Sequence, residues 1–183
     1  MKLRILFSAA VAASAFAATP AFAQEARPAF SGGHVEAIAG YDHVRGGGEG
    51  RDGLLYGIGA GYDLRSHNTV FGIEGELADS TTDDCVGTVC ARAGRDIYIG
   101  GRVGAVVSPN VLLYGKLGYT NARVVATAGN VSDGTNLDGI RAGAGVEWAI
   151  PRTPLSLRAE YRYSNYEQGI SRHQGVAGLS FRF

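Results

Sequence analysis

From Gly33 to its last residue the chain alternates apolar with small or polar side chains at a period of two, in runs of about ten residues separated by clusters of Gly, Asn, Asp, Ser and Pro. A period of two sends neighbouring side chains to opposite faces of an extended strand and does not fit the 3.6-residue period of a helix. Eight such runs stand at 34–43, 54–64, 70–78, 96–107, 111–124, 139–148, 155–166 and 174–183. Their length suits a tilted crossing of the hydrocarbon of a bilayer, for which about 9–11 residues suffice.

The two faces of these runs differ in chemistry. One carries Leu54, Tyr56, Ile58, Ala60, Tyr62 and Leu64, then Ile97, Ile99, Val103, Ala105 and Val107, then Ile140, Ala142, Ala144, Val146 and Trp148. The other mixes Gly57, Gly59, Gly61, Gly72, Gly100, Gly104, Gly118, Gly143 and Gly145 with Glu74, Glu76, Arg102, Lys116, Arg141, Glu147, Arg158, Glu160 and Arg162. Glycine weakens a strand and gains nothing on an open solvated face, so the 28 glycines of this chain belong where the interior is crowded. The charged face therefore points inward and the apolar face outward, into lipid. A soluble ligand barrel is built the other way round. Strands in hydrocarbon must also close on themselves to satisfy their backbone groups. The expected fold is all-β, an eight-stranded antiparallel up-and-down transmembrane β-barrel.

The connections alternate in length. Those at 44–53, 79–95 and 125–138 read as long loops and those at 65–69, 108–110 and 151–154 as tight turns, with a medium loop at 167–173. Long loops at one end and short turns at the other match extracellular and periplasmic ends. With the first strand rising, Tyr41, Tyr56, Tyr119 and Tyr163 fall toward the extracellular interface, and Tyr62, Phe71, Trp148 and Phe181 toward the periplasmic one. Two aromatic girdles are the expected result.

At the start, the basic Met1-Lys2-Leu3-Arg4, the apolar run 5–18, Pro20 and the small-residue site Ala21-Phe22-Ala23 form the pattern of a secretory signal peptide over 1–23, cut before Gln24. Residues 24–183 then make one barrel domain. Seventeen Lys and Arg against 17 Asp and Glu argue against nucleic acid as a partner.

The C-terminal Gly178-Leu179-Ser180-Phe181-Arg182-Phe183 resembles the outer-membrane assembly signal, with alternating apolar residues, an upstream glycine and the terminal aromatic Phe183; Val176 stands where that signal often has a polar residue. The segments 112–123 (LLYGKLGYTNAR) and 157–166 (LRAEYRYSNY) are similar to strands of the small outer-membrane β-barrel domain family, which includes OmpA-like and opacity-protein-like surface antigens of Proteobacteria. The resemblance covers essentially the whole mature chain. It implies the outer membrane of a Gram-negative bacterium, delivery by the barrel assembly machinery, and outer-membrane lipid and lipopolysaccharide as surroundings. It selects no activity, because family members serve as anchors, adhesins, antigens or narrow pores. No peptidoglycan-binding domain follows the barrel, so a wall-anchoring role is not expected.

The cysteines, Cys85 and Cys90, lie in one long loop, DDCVGTVC. An oxidising compartment favours a disulfide there, and two thiols beside Asp83 and Asp84 without a nearby histidine make a poor metal site. His43, His173, Asp83 and Asp84 are the conceivable catalytic set at the extracellular rim, yet outer-membrane proteases resemble ten-stranded barrels where eight strands are counted, and the His-x-Ser pair sought for a barrel enzyme acting on lipid A is absent, so no enzyme, cofactor or metal is expected. Glycine-rich loops such as Gly46-Gly47-Gly48 suit surface exposure and contact with host or phage. The leading expectation is a structural or surface-interaction barrel, present as a monomer; the alternatives are a narrow diffusion channel and a rim-sited enzyme. Inside, Glu147 should lie nearly opposite Arg158 and Arg102 nearly opposite Lys116, with Glu74, Glu76 and Glu160 as the acids that offset the paired cations. Together these seven residues should form a lumen charge network that closes the pore.

Overall fold

The computed structural model describes residues 29–46, 49–81, 83–86, 89–128 and 131–183, with side chains except at 46, 49, 83–86, 89–93, 124–128, 131–133 and 168. The expected signal peptide lies outside the described residues. The strands are β1 (Gly32–Gly46), β2 (Glu49–Ser66), β3 (Thr69–Ser80), β4 (Asp83–Val86), β5 (Val89–Ser108), β6 (Val111–Ala128), β7 (Val131–Ala149), β8 (Leu155–Tyr166) and β9 (Ser171–Arg182). One 3-10 turn, Glu167–Gly169, joins the last two.

Every pairing is antiparallel, and the sheet closes through β1 with β9 and through β3 with β5. The short β4 continues the line of β3 along β5. Nine segments thus make eight staves, and among the described residues no membrane-level edge is left unpaired, as hydrocarbon demands. One end is closed by tight turns, where His67 (φ 56°) and Arg152 (φ 64°) take the left-handed conformation.

At the other end the strands run on where loops were expected. Pairing continues to Gly46 opposite Glu49, Val89 opposite Ala128 and Ala128 opposite Val131, so most of 44–53, 79–95 and 125–138 is β-hairpin. Beyond the membrane a paired strand still satisfies its backbone groups but no longer needs an apolar outer face. The alternation that marks a span fades there while the ladder does not.

The apolar face stands outward. Leu54, Ile58, Leu64, Ile73, Ile99, Leu117 and Ile140 are all more than 60 % exposed, an arrangement stable only against lipid. The inward face is buried and predominantly polar, flanked by apolar side chains. At the turn end Phe30, Val70, Val106, Leu112 and Tyr114 pack together. Ile38, Leu55, Ala78 and Val176 form a second cluster, and Ala122, Leu137 and Tyr166 a third. Val176, the departure from the assembly signal, is thus a lumen residue. Phe30 reaches its place with φ 65°, and Arg65 donates to the Ala29 carbonyl oxygen at 2.8 Å. A left-handed non-glycine residue costs about 1–3 kcal/mol and burying a phenylalanine contributes about 1.5–3 kcal/mol, so burial offsets the strain.

Candidate functional site in the barrel lumen

The inward positions of neighbouring strands lie side by side, and glycine recurs next to the long side chains. A Cβ at Gly59 would stand 2.7 Å from a Glu36 carboxylate oxygen, and one at Gly143 3.2 Å from Lys116 Cγ. The glycines on one stave therefore leave the space that charged side chains of the next stave fill.

Three connected tiers of charge result. Nearest the turn end, Arg102 donates to Asp63 through Nε at 2.8 Å and through a terminal nitrogen at 2.5 Å, and to Glu147 at 3.0 Å. Arg182 bridges the same two acids at 2.7 and 3.0 Å, Ser156 donates to Glu147 at 2.7 Å, and His34 Nδ1 lies 3.3 Å from Asp63. In the middle tier Lys116 Nζ is 2.9 Å from Glu74, 2.6 Å from Glu76 and 2.8 Å from Glu160. Arg158 pairs with Glu36, with Glu74 at 3.2 Å and with Glu160 at 3.3 Å. Arg162 pairs with Glu160 and, at 2.7 Å, with Glu76. Toward the hairpin end Arg141 meets Asp96 at 2.5 Å, and Arg172 joins Asp42 to Asp96, the latter at 3.0 Å.

Two inward tyrosines tie the tiers together. Arg158 and Arg102 lie 4.9 and 5.3 Å from the centre of the Tyr114 ring, and Lys116 and Arg141 lie 4.6 and 5.4 Å from that of Tyr98. Such contacts contribute roughly 0.5–2 kcal/mol each, more as the cation loses water. The carboxylates of Glu36, Glu74 and Glu76 approach one another closely enough to hold a metal ion. Lys116, Arg158 and Arg162 already occupy them, so the donor set is matched to internal cations.

The register places Glu147 opposite Arg158 and Arg102 opposite Lys116, but neither adjacency decides the pairing. Glu147 is held by Arg102, Arg182 and Ser156, while Arg158 reaches Glu36, Glu74 and Glu160. In so narrow a lumen a long side chain meets partners from across the barrel as readily as its register neighbour. Glu74, Glu76 and Glu160 converge on Lys116 and Arg158, whereas Arg102 turns to Asp63. Sequence reasoning left Glu36, Asp42, Asp63, Asp96, Arg141, Arg162, Arg172, Arg182 and His34 out of the network. Their strand parity carried the signal, since each falls on the inward face with the glycines.

Of the rim set, the described side chains are those of His43 and His173. His43 and His173 are register partners on β1 and β9, on the outer wall beside Tyr41 and Tyr163. His43 Nδ1 is 2.6 Å from Asp52 and His173 Nδ1 is 2.6 Å from the Tyr161 hydroxyl. Above the apolar belt, the hydrogen bonds from His43 and Tyr41 hold the Asp52 carboxyl below the usual carboxylate range. The side chains of Asp83 and Asp84 lie outside the described residues, as do those of Cys85 and Cys90. The backbone register sets Cys85 directly opposite Cys90. Of the assembly-signal residues, Phe181 and Phe183 stand exposed on the outer wall, Phe183 N donates to the Gly33 carbonyl oxygen at 2.9 Å, and Gly178 lies inward opposite Ile38 and Arg158.

Residues 8–183 match the model of the outer membrane protein β-barrel domain family. A 22 kDa outer membrane protein of Rhizobium leguminosarum bv. viciae is 33 % identical over 122 residues, 64 % of this chain and 57 % of that protein, so the match spans little more than half of the relative's length. Among solved structures, Neisserial surface protein A aligns with a TM-score of 0.66 at 19 % identity, covering 84 % of this chain and 98 % of that one. Ail, the attachment invasion locus protein of Yersinia pestis, aligns with a TM-score of 0.63 at 16 % identity, covering 84 % and 99 %. At those identities the likeness concerns the fold. With the closed eight-stave barrel, the outward apolar belt and the family match in agreement, this chain belongs to the outer-membrane β-barrel domain family and resides in the outer membrane of a Gram-negative bacterium.

Proposed function

We propose that the protein is a non-enzymatic surface barrel with a closed lumen, acting through its extracellular hairpins rather than through transport. The observation that carries this reading is the ion-pair network across the lumen. Eight buried acids (Glu36, Asp42, Asp63, Glu74, Glu76, Asp96, Glu147, Glu160) face seven Arg and Lys side chains (Arg102, Lys116, Arg141, Arg158, Arg162, Arg172, Arg182). The near balance leaves little net field to draw ions of one sign, and the paired side chains occupy the space an ion would need. The hairpins continue as paired strands beyond the apolar belt, which suits a stiff surface presented to host cells or phage. Folding through the barrel assembly machinery and a monomeric state belong to the same reading, as does removal of a signal peptide before Gln24.

The test is conductance. The protein reconstituted in planar bilayers should pass no steady current, and Glu74→Gln with Glu76→Gln should raise the frequency of opening events by loosening the middle tier. Steady conductance of the unmodified protein would establish the diffusion channel instead.

A further inference from the structure

A second gathering of hydrogen-bonding side chains lies on the outer wall, at the extracellular edge of the apolar belt, where β2, β1, β9 and β8 run side by side. The register orders it in levels. Gly175 on β9 stands between Tyr41 on β1 and Tyr161 on β8, which are 53 % and 56 % exposed. One level higher, His173 stands between His43 and Tyr163, and Asp52 lies beside His43. One level lower, the exposed Ala159, Ala177 and Ala39 line up across the three strands.

Gly175 leaves a gap in this wall, since a Cβ there would have no atom within 4 Å. The groups above the gap are fixed in place. The Tyr163 and His173 ring centres are 5.0 Å apart, Tyr161 holds His173 and Asp52 holds His43 through Nδ1, and Tyr41 shares Asp52. Both imidazoles spend Nδ1 on these contacts, which leaves Nε2 for a ligand.

We propose that this seam binds a glycolipid of the surrounding leaflet, with a sugar ring over Gly175 between Tyr41 and Tyr161 and its acyl chains on the alanine strip below. The order of chemistries up the wall is that of the lipid: small apolar residues, aromatic faces, then a carboxylate and two imidazoles. Aromatic faces suit the C–H faces of a sugar, and Asp52 accepts hydrogen bonds from hydroxyls while an imidazole Nε2 can donate or accept. Phosphatidylglycerol offers acyl chains to the same strip but no ring to the gap. Arg45, one level above His43, allows a phosphorylated sugar as well as a neutral one.

The full chain, refolded into phosphatidylcholine nanodiscs, would be given a glycosyl diacylglycerol in one set and phosphatidylglycerol with the same acyl chains in another. Native mass spectrometry would count the lipids retained on release. We expect about a tenfold preference for one glycosyl diacylglycerol, abolished by Gly175→Leu, whose side chain fills the gap, and kept by Tyr119→Phe on the opposite wall. Heat-modifiable gel mobility would verify that each variant is folded, and Tyr161→Phe, which removes only the contact with His173, provides a second reading by weakening the preference. Equal retention of the two lipids, or a preference that survives in folded Gly175→Leu, would overturn the proposal. Equally tight binding of a free methyl glycoside, followed by the backbone amide signals of Gly175 and His173, would overturn the assignment to a lipid-borne sugar.

Discussion

A methyl group added at Gly145 would stand 2.7 Å from the Tyr114 hydroxyl and 2.7 Å from the Ala159 carbonyl oxygen. Tyr114 has little room to withdraw, because it donates to Glu160 at 2.5 Å and its ring lies among Arg102 and Arg158. Gly145→Ala should therefore lower stability by about 1–3 kcal/mol, the usual cost of overpacking. Gly115, on the outer face, has its nearest atom at 3.7 Å, so Gly115→Ala should be nearly neutral in the same urea titration in lipid bilayers. Equal losses for the two would show that strand propensity, and not the crowded lumen, sets the requirement for glycine.

At the scale of the hairpin, the β4–β5 pair sets Cys85 opposite Cys90 near its tip. Residues facing each other on antiparallel strands have Cα atoms about 4.5–5.5 Å apart, within the range of a disulfide. Freshly isolated protein should show the two cysteines joined when its peptides are mapped by mass spectrometry without reduction, and Cys85→Ser with Cys90→Ser should leave the barrel's melting temperature unchanged. Two free thiols would contradict the first expectation. The membrane-crossing parts of the strands were legible in the sequence because lipid enforces an apolar residue at every second position, as at Leu54, Ile58 and Leu64. Their full lengths were not, since 123–128 pairs with 131–136 outside that constraint. Parity likewise identified which side chains face inward. It could not choose among partners, and the proximity of Arg158 to Glu147 in the register gave no warning that Glu36, six staves away along the open sheet but only two across the closed one, would take the guanidinium.

For the molecule as a whole, the tiers make each buried charge depend on several others. Arg102→Met would leave Asp63 and Glu147 with Arg182 as their remaining close arginine, and removing one member of a buried pair typically costs about 3–5 kcal/mol. Adding Asp63→Asn should recover much of that loss, because a neutral amide no longer needs the cation; thermal unfolding of the single and double variants would measure the coupling. A double variant as unstable as the sum of its parts would show the pair to be energetically independent. The closing seam also governs how the barrel can form. Arg158 and Glu36 are 122 residues apart in the chain, and Arg172 and Asp42 are 130. Until β1 meets β9 Glu36 and Asp42 have water in place of these guanidinium groups, and a sheet short of closure would leave the two carboxylates half dehydrated without the cations that balance them in the closed barrel. Such contacts between distant parts of the chain slow folding and reward only its last step, so assembly should be all-or-none, with no partly zipped barrel stable enough to accumulate.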